Sequence, residues 1–316
     1  MLPPHFQLIT TNKGAKVMSS KRMLLVVNPC SGKAKMKSYL MGVIQIFTDA
    51  DYDVTVYTTK ARNDATFKIQ QINKNEFDII VVCGGDGTLN EIITGMMNIN
   101  LKCTLGYIPC GTLNEWSSGL KISRNILTAA KDIVDGQIIN IDIGKFGDKY
   151  FSYTASFGAF TDASYSAPQS LKNALGQAAY FFQGIKSLAA IKATHLKFSF
   201  DNEEVEGDFL FGAVSNSMSV GGIVKFKESV VKLNDGLFEV LLIRKPDNIL
   251  KLQPLIDGIL KKDLSKEGFE FFHTSKVTVT GADIPWTLDG EYSQGTKETV
   301  IENLPNTLQL IVPKTK

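Results

Sequence analysis

The stretch FDIIVVC (77–83) limits this chain more than any other, because its apolar residues run unbroken into GGDG (84–87). A strand with one wet face alternates polar and apolar residues. An unbroken run followed at once by glycines reads instead as a strand covered on both faces. MLLVV (23–27) is a second such run, followed by NPCSGK and then by helical spacing at Tyr39, Leu40, Val43, Ile44 and Phe47. DYDVTVYTT (51–59) and LKCTLGYIP (101–109) read as further strands, and ATFKIQQI (65–72) and ILTAAKDIV (126–134) as helices. Strand alternating with helix over roughly 110 residues predicts an α/β domain on a mostly parallel sheet. Ligands of such sheets bind at the carboxyl ends of the strands, where each glycine-rich loop falls.

After Gly136 the pattern changes. IINIDIGKF, YFSYTASFG, LKFSFDNEE, DFLFGAVS, GLFEVLLIRK, KVTVTGAD, WTLDGEY and TLQLIV are strand-like runs separated by turn residues. They predict a mainly-β second domain, an antiparallel β-sandwich or half-barrel. Two helices interrupt it, one within 171–192 and a short one at 248–261. The expected division is a disordered lead at 1–20, an α/β domain at 21–136 and the sandwich at 137–304. A tail at about 305–316 is expected to return to the first domain.

One pentapeptide, GTLNE, occurs twice, at 87–91 and 111–115, each time where a strand gives way to a helix. Thr88 and Glu91 are three apart, as are Thr112 and Glu115, and both pairs fit a capping box. The flanking residues add a second meaning. GGDG (84–87), PCGT (109–112) and NPCSGK (28–33) are glycine-rich strand–helix junctions, which present free amides at a positive helix end and suit anions. Three of them on one parallel sheet would converge on a polyphosphate. Asp86 is too acidic for a bare phosphate cradle and suits a metal-bound phosphate or a ribose. Neither phosphate-loop nor dinucleotide-fold spacing is present.

Lys+Arg total 34 against 32 Asp+Glu, so no basic field points to nucleic acid as a partner. The four cysteines (Cys30, Cys83, Cys103, Cys110) read as reduced thiols of a cytoplasmic protein, not a disulfide framework. The three histidines (His5, His195, His273) have no zinc spacing. No apolar run reaches the ~18 residues of a membrane span, and the first twenty residues lack the apolar core of a signal peptide.

NPCSGK, TTKARNDA, VVCGGDGTLNEII and YIPCGTLNEW, in that order and spacing, resemble the diacylglycerol kinase catalytic-domain family, which includes soluble bacterial lipid kinases and the sphingosine and ceramide kinases. FGAFTDASY, AVSNSMSVGGI, LNDGLFEV and WTLDGE extend the resemblance over nearly the whole chain from about residue 21. GGDGT alone also occurs in NAD kinases. The resemblance implies an ATP-dependent lipid kinase with diacylglycerol as the first substrate, and ATP and Mg²⁺ as cofactors. ATP would lie between the domains on Asn28, Pro29, Cys30, Ser31, Gly32, Thr59, Gly84, Gly85, Asp86, Gly87, Thr88, Leu89, Asn90 and Thr112, with Glu291 on the nucleotide side. It implies Asp289 as general base. It also implies a structural magnesium on the Asp235 side chain and the carbonyls of Lys232 and Leu237. From the residues alone, Asp235-Gly236 and Asp289-Gly290 both read as turns. Two stretches depart from the family pattern. Glu115 and Ser118 stand where an aspartate and an arginine are customary, and SVVKLNDG lacks the customary Pro-x-Ala.

A lipid kinase without a span works at the membrane surface. Helix 171–192 carries Lys172, Lys186 and Lys192 beside Phe181, Phe182 and Ile185. That suits an interfacial helix or a core-facing one with solvated lysines. Open sheet edges leave room for a homodimer. The alternative functions are an NAD kinase and an inactive lipid- or nucleotide-binding module.

Overall fold

The computed structural model describes residues 20–34, 36–112, 114–158, 193–217, 219–220, 224–225, 232–247, 255, 258 and 263–314. The expected helices at 171–192 and 248–261 lie outside the described residues, apart from Leu255 and Gly258. So do residues 1–19 of the lead and most of the FGAFTDASY and SVGGI stretches.

The first half runs β1 (Lys21–Val27), α1 (Met36–Asp49), β2 (Tyr52–Thr58), α2 (Asp64–Gln70), β3 (Ile79–Gly84), α3 (Asp86–Asn98), β4 (Thr104–Pro109), α4 (Glu115–Gly119) and α5 (Ile126–Asp135). β1 pairs in parallel with β2 and β3, and β3 with β4, so the order is β4-β3-β1-β2. The unbroken apolar runs occupy the middle of the sheet, where both faces are covered. All six residues of β3 and the last five of β1 are buried. Met36, Val43 and Phe47 of α1, Ile92, Ile93 and Met96 of α3, and Ile126, Ala129, Ala130 and Ile133 of α5 pack onto that sheet. Each large apolar side chain removed from water there contributes about 1.5–3 kcal/mol before entropy is counted. Asn125 begins α5 by accepting the Thr128 amide at 3.0 Å, an N-cap that sets the start of this helix.

The second half is antiparallel: β5 (Gln137–Phe146), β6 (Lys149–Phe151), β7 (Thr154–Gly158), β8 (Thr194–Ser199), β9 (Glu204–Ser215), β10 (Ser219–Val220), β11 (Val224–Lys225), β12 (Phe238–Arg244), β13 (Phe269–Thr274), β14 (Lys276–Gly281), β15 (Pro285–Leu288), β16 (Glu291–Gln294) and β17 (Glu298–Val312). A second core forms on it from Phe151, Phe157, Phe198, Phe209, Phe238, Val240, Leu242 and Trp286 among others. The expected class, parallel α/β followed by an antiparallel β-rich part, is the one observed.

β17 joins the halves. Its first residues pair with β14, its length pairs with β5, and Leu310 sits beside Leu105 of β4 in parallel. The sheet is therefore continuous, in the order β16-β15-β7-β9-β8-β14-β17-β4-β3-β1-β2.

Candidate functional site

The adjacent order of β4, β3 and β1 brings the three glycine junctions side by side at the carboxyl end of the parallel sheet. The Asn28 amide donates to the Cys83 carbonyl at 2.9 Å, and the Cys110 amide to the Gly84 carbonyl at 2.7 Å. Asn28 shapes its own loop by accepting the Cys30 amide, and it reaches across to Thr88, where Nδ2 donates to Oγ1 at 2.9 Å. Thr59, at the end of β2, is buried and donates its amide to the Val27 carbonyl. Pro29, Ser31 and Gly32 are half-buried, while Cys30, Gly87 and Thr112 are exposed. Leu89 is in the motif but faces the core.

The repeated pentapeptide does not build two capping boxes. α3 starts at Asp86 with Gly85 as its N-cap, so Thr88 lies inside the first turn and holds Asn28. Glu91 turns away from its own helix and accepts the amides of Asn63 (2.8 Å) and Ala65 (3.2 Å), capping α2 next door. In the second copy Asn114 is left-handed at the start of α4. Its Oδ1 accepts the Gly111 amide at 2.9 Å. The spacing fitted a cap, but α3 begins just before its copy of the motif and α4 at the last residue of its own.

The copies instead grip each other. Asp86 Oδ2 accepts the Glu115 amide at 3.3 Å, so the acid of the first loop begins the helix of the second. A Cβ added to Gly111 would lie 2.6 Å from the Gly85 Cα. These glycines are therefore required by the contact between the two loops, and not by a ligand alone. Asp86 Oδ1 is buried with no hydrogen-bond partner. Burial pushes the Asp86 carboxyl up, with the Asp289 charge adding to it and the Glu115 amide opposing. Burial, then Asp86 and Asp289, raise Glu115 in the same way.

The antiparallel half contributes the β15–β16 hairpin. Leu288 pairs with Glu291, and the two residues between, Asp289 and Gly290, have φ of 48° and 84°. This is the two-residue turn expected of Asp-Gly. The Asp289 side chain nevertheless points inward. Oδ2 accepts from the Ser152 amide (2.6 Å), Ser152 Oγ (2.8 Å) and Asn90 Nδ2 (3.0 Å). Oδ1 accepts from the Tyr153 and Thr154 amides, both at 3.0 Å. Burial pushes this carboxyl up, against the Ser152, Thr154 and Tyr153 amides that pull it down. Five donors fill the lone pairs of a carboxylate, whereas a base needs one open towards its proton. Asp289, the base implied by resemblance, ties the Ser152–Thr154 turn and α3 to the hairpin through these bonds.

Glu291 stands on the open side of the same hairpin. Its Oε2 pairs with Arg62 Nη2 at 2.7 Å, with side chains 54% and 75% exposed. Its Oε1 is 3.8 Å from the place of a Cβ on Gly87, beside the start of α3. Arg62 comes from the TTKARNDA stretch, so this ion pair also crosses between the halves.

The expected metal turn is built differently from the cleft. Asp235 Oδ1 accepts the Leu237 amide at 3.1 Å, and Gly236 takes a positive φ of 77°. Buried Asp142 holds this turn to β17: Oδ2 accepts the Gly236 amide and Oδ1 the Asn306 amide, each at 2.7 Å. Asp235 is exposed, and a carboxylate with backbone carbonyls such as those of Lys232 and Leu237 is the all-oxygen chemistry that suits a hard cation such as Mg²⁺. Among the described residues no three His, Cys, Asp or Glu side chains converge as a metal cluster.

Arg62, Asp142 and Ser152 were not singled out from sequence, and Glu91 was read only as the cap of its own helix. Asp142 carried a signal, an acid within the strand-like run IINIDIG. Arg62 and Ser152 carried none of their own, since their partners lie far along the chain. Among the described residues no helix is long and apolar enough to cross a membrane, and none of the four cysteines is in a disulfide.

Strands of parallel α/β type carrying three glycine-rich junctions, met by an acidic hairpin from an antiparallel partner, are an arrangement that suits a phosphate-bearing ligand, and comparison narrows the class. Residues 22–146 match the diacylglycerol kinase catalytic domain, and residues 155–312 match the YegS C-terminal NAD kinase β-sandwich-like domain. The chain is 31% identical over 298 residues to the diacylglycerol kinase of Bacillus subtilis (strain 168), covering 94% of this chain and 98% of that one. It is 30% identical over 296 residues to a diacylglycerol kinase of Staphylococcus epidermidis, covering 93% of each. A crystal structure of a diacylglycerol kinase from Bacillus anthracis str. Sterne has the same fold, with a TM-score of 0.73 at 22% identity over 92% of this chain and 97% of that one. The chain belongs to the diacylglycerol kinase family.

Proposed function

We propose that the chain transfers the γ-phosphoryl group of ATP to the hydroxyl of a diacylglycerol or a related lipid presented at a membrane surface. The observation that carries this reading is the meeting of the Asn28–Gly32, Gly84–Asn90 and Gly111–Asn114 loops with the hairpin of Asp289 and Glu291. On this reading residues 21–136 bind the nucleotide and residues 137–304 the lipid, with 305–316 returning to the first part.

ATP supplies the phosphoryl group, and phosphoryl transfer asks a protein mainly for positioning and charge compensation. The amides at the start of α3 and the Asn28–Gly32 loop receive the phosphates. Asp86 Oδ1, buried and unpartnered, would hold a phosphate-bound Mg²⁺. Glu291 takes the proton of the lipid hydroxyl, since its Oε1 faces the cleft and Asp289 is fully hydrogen-bonded. Asp289 positions the hairpin that carries Glu291. Asp235, with the carbonyls of Lys232 and Leu237, holds a structural magnesium that braces the turn before β12.

The test is transfer of labelled phosphate from ATP to diacylglycerol, monoacylglycerol, sphingosine, ceramide and undecaprenol in mixed micelles, with NAD as a soluble control. Phosphorylation of one lipid, abolished in Glu291→Gln with nucleotide binding retained, supports the reading. Phosphorylation of NAD alone, or none with any lipid despite ATP binding, overturns it. Loss in Asp289→Asn with Glu291→Gln still active would return the base to Asp289.

A further inference from the structure

The backbone on either side of Arg62 is tied down, while its side chain stands in solvent. Asp64 Oδ2 accepts the Lys60 amide at 2.7 Å, and Oδ1 accepts the Tyr57 hydroxyl at 2.9 Å. The Glu91 carboxylate takes the Asn63 and Ala65 amides, and its carbonyl takes the Thr66 hydroxyl at 2.8 Å. Residues 60–66 are therefore fixed to α3, the helix that begins at the GGDG junction.

Across the cleft Glu291 is mounted as firmly. It begins β16 directly after the Asp289–Gly290 turn, which Asp289 anchors through Asn90 and residues 152–154. The Glu291 carboxylate then touches both sides of the opening. Oε2 accepts Arg62 Nη2 at 2.7 Å, and Oε1 lies 3.8 Å from the place of a Cβ on Gly87. One carboxylate thus separates the guanidinium from the Gly84–Asn90 junction.

The contact is a single hydrogen bond, not the two-pronged pairing that a guanidinium makes with a carboxylate at its strongest. Its partners are more than half exposed. Such a pair adds little to stability, so bracing the fold does not account for it. A phosphate chain offers the same guanidinium more charge and more acceptor oxygens. On the other side, a carboxylate oxygen bonded to a guanidinium is less open to the proton of a hydroxyl.

We propose that the Arg62–Glu291 pair is the resting state of an exchange. The phosphate chain of a nucleoside triphosphate draws the guanidinium off Glu291, so that Arg62 becomes a phosphate-binding residue and Glu291 is released towards the lipid hydroxyl. The inference rests on the nucleotide and base roles proposed above. It orders the two substrates, because the carboxylate becomes available only once the nucleotide is in place.

The experiment measures binding of ATP with MgCl₂ to the full chain by calorimetry, without lipid, in wild type, Arg62→Gln, Glu291→Gln and the double variant. Arg62→Gln should bind about 10-fold more weakly, as loss of a hydrogen bond between charged groups implies. Glu291→Gln should bind about 2- to 5-fold more tightly, because the nucleotide no longer displaces an exposed ion pair. The double variant should match Arg62→Gln, since without the arginine there is no pair to displace. A tightening by Glu291→Gln that persists in the Arg62→Gln background is plain charge repulsion and overturns the exchange. Wild-type affinity in either single variant overturns this inference alone. Absence of ATP binding by wild type overturns it together with the nucleotide reading.

Discussion

Asn90 Nδ2 lies 3.0 Å from Asp289 Oδ2, a single hydrogen bond that fixes α3 against the β15–β16 hairpin. Asn90 belongs to the first GTLNE copy, so the motif that lines the cleft also sets its width. Replacing Asn90 with Asp puts a like charge against a carboxylate that burial already pushes up. Asn90→Asp should therefore abolish turnover and lower stability. Asn90→Ala, which removes that charge-assisted bond and two longer ones with the Tyr150 carbonyl and Thr94 Oγ1, should cost about 1.5–3 kcal/mol. Urea unfolding of the two variants ranks them, and an aspartate variant as stable as wild type would break the argument.

Gly111 meets Gly85 across the two glycine loops. The Cβ of Gly111→Ala would lie 2.6 Å from the Gly85 Cα and 2.7 Å from Asn114 Oδ1. The Gly85 Cα is backbone and Asn114 Oδ1 is held by the Gly111 amide, so the loops must part. A loss of about 1–3 kcal/mol is expected. Fluorescent ATP-analogue binding should weaken with it, and calorimetric Tm with unaltered nucleotide affinity would count against a shared cradle.

Glu91 serves a helix that is not its own. Glu91→Ala strands the Asn63 and Ala65 amides and should cost about 1 kcal/mol, as loss of an N-cap does. Glu91→Gln keeps one acceptor and should lose less. Amide hydrogen exchange should localise the effect to α2 (64–70) and leave α3 protected.

His195 on β8 lies between Asp208, 2.9 Å from Nδ1, and Glu206, 3.2 Å from Nε2. Hydrogen bonds to Asp208 and then Glu206 raise its pKa above 6.5. A raised pKa in the folded state means that the protonated ring favours folding. The contribution is therefore complete below pH 6.5 and is lost as pH rises through the folded pKa. His195→Gln should flatten that part of the Tm–pH curve. An NMR titration of the ring with a midpoint at or below 6.5 would remove its basis.

The parallel strands were legible because an unbroken apolar run bounded by glycine has few alternatives, as β1 and β3 illustrate. The antiparallel half was legible from turn residues such as Asp289-Gly290, whose backbone does form the expected two-residue turn. Side-chain destinations were not. Thr-x-x-Glu matches a capping box, yet Thr88 answers to Asn28, 60 positions earlier, and Glu91 to α2. Asp289 takes its donors from residues 152–154, more than 130 positions away. Local spacing records what a residue can do, and the partner that claims it is chosen by strand order. Glu239 shows the same limit, since nothing in LFEVLL announces that the acid on that strand is sealed inside.

β17 follows every other described strand along the chain. Until residues 298–312 are made, the outer edge of β4, the partner face of β5 and one side of β14 all stand unpaired beside strands already present. The cleft therefore assembles late, when the C-terminal strand zips the two halves together. Loss of the 298–312 strand itself would leave a sticky, half-closed sheet rather than a smaller working fold.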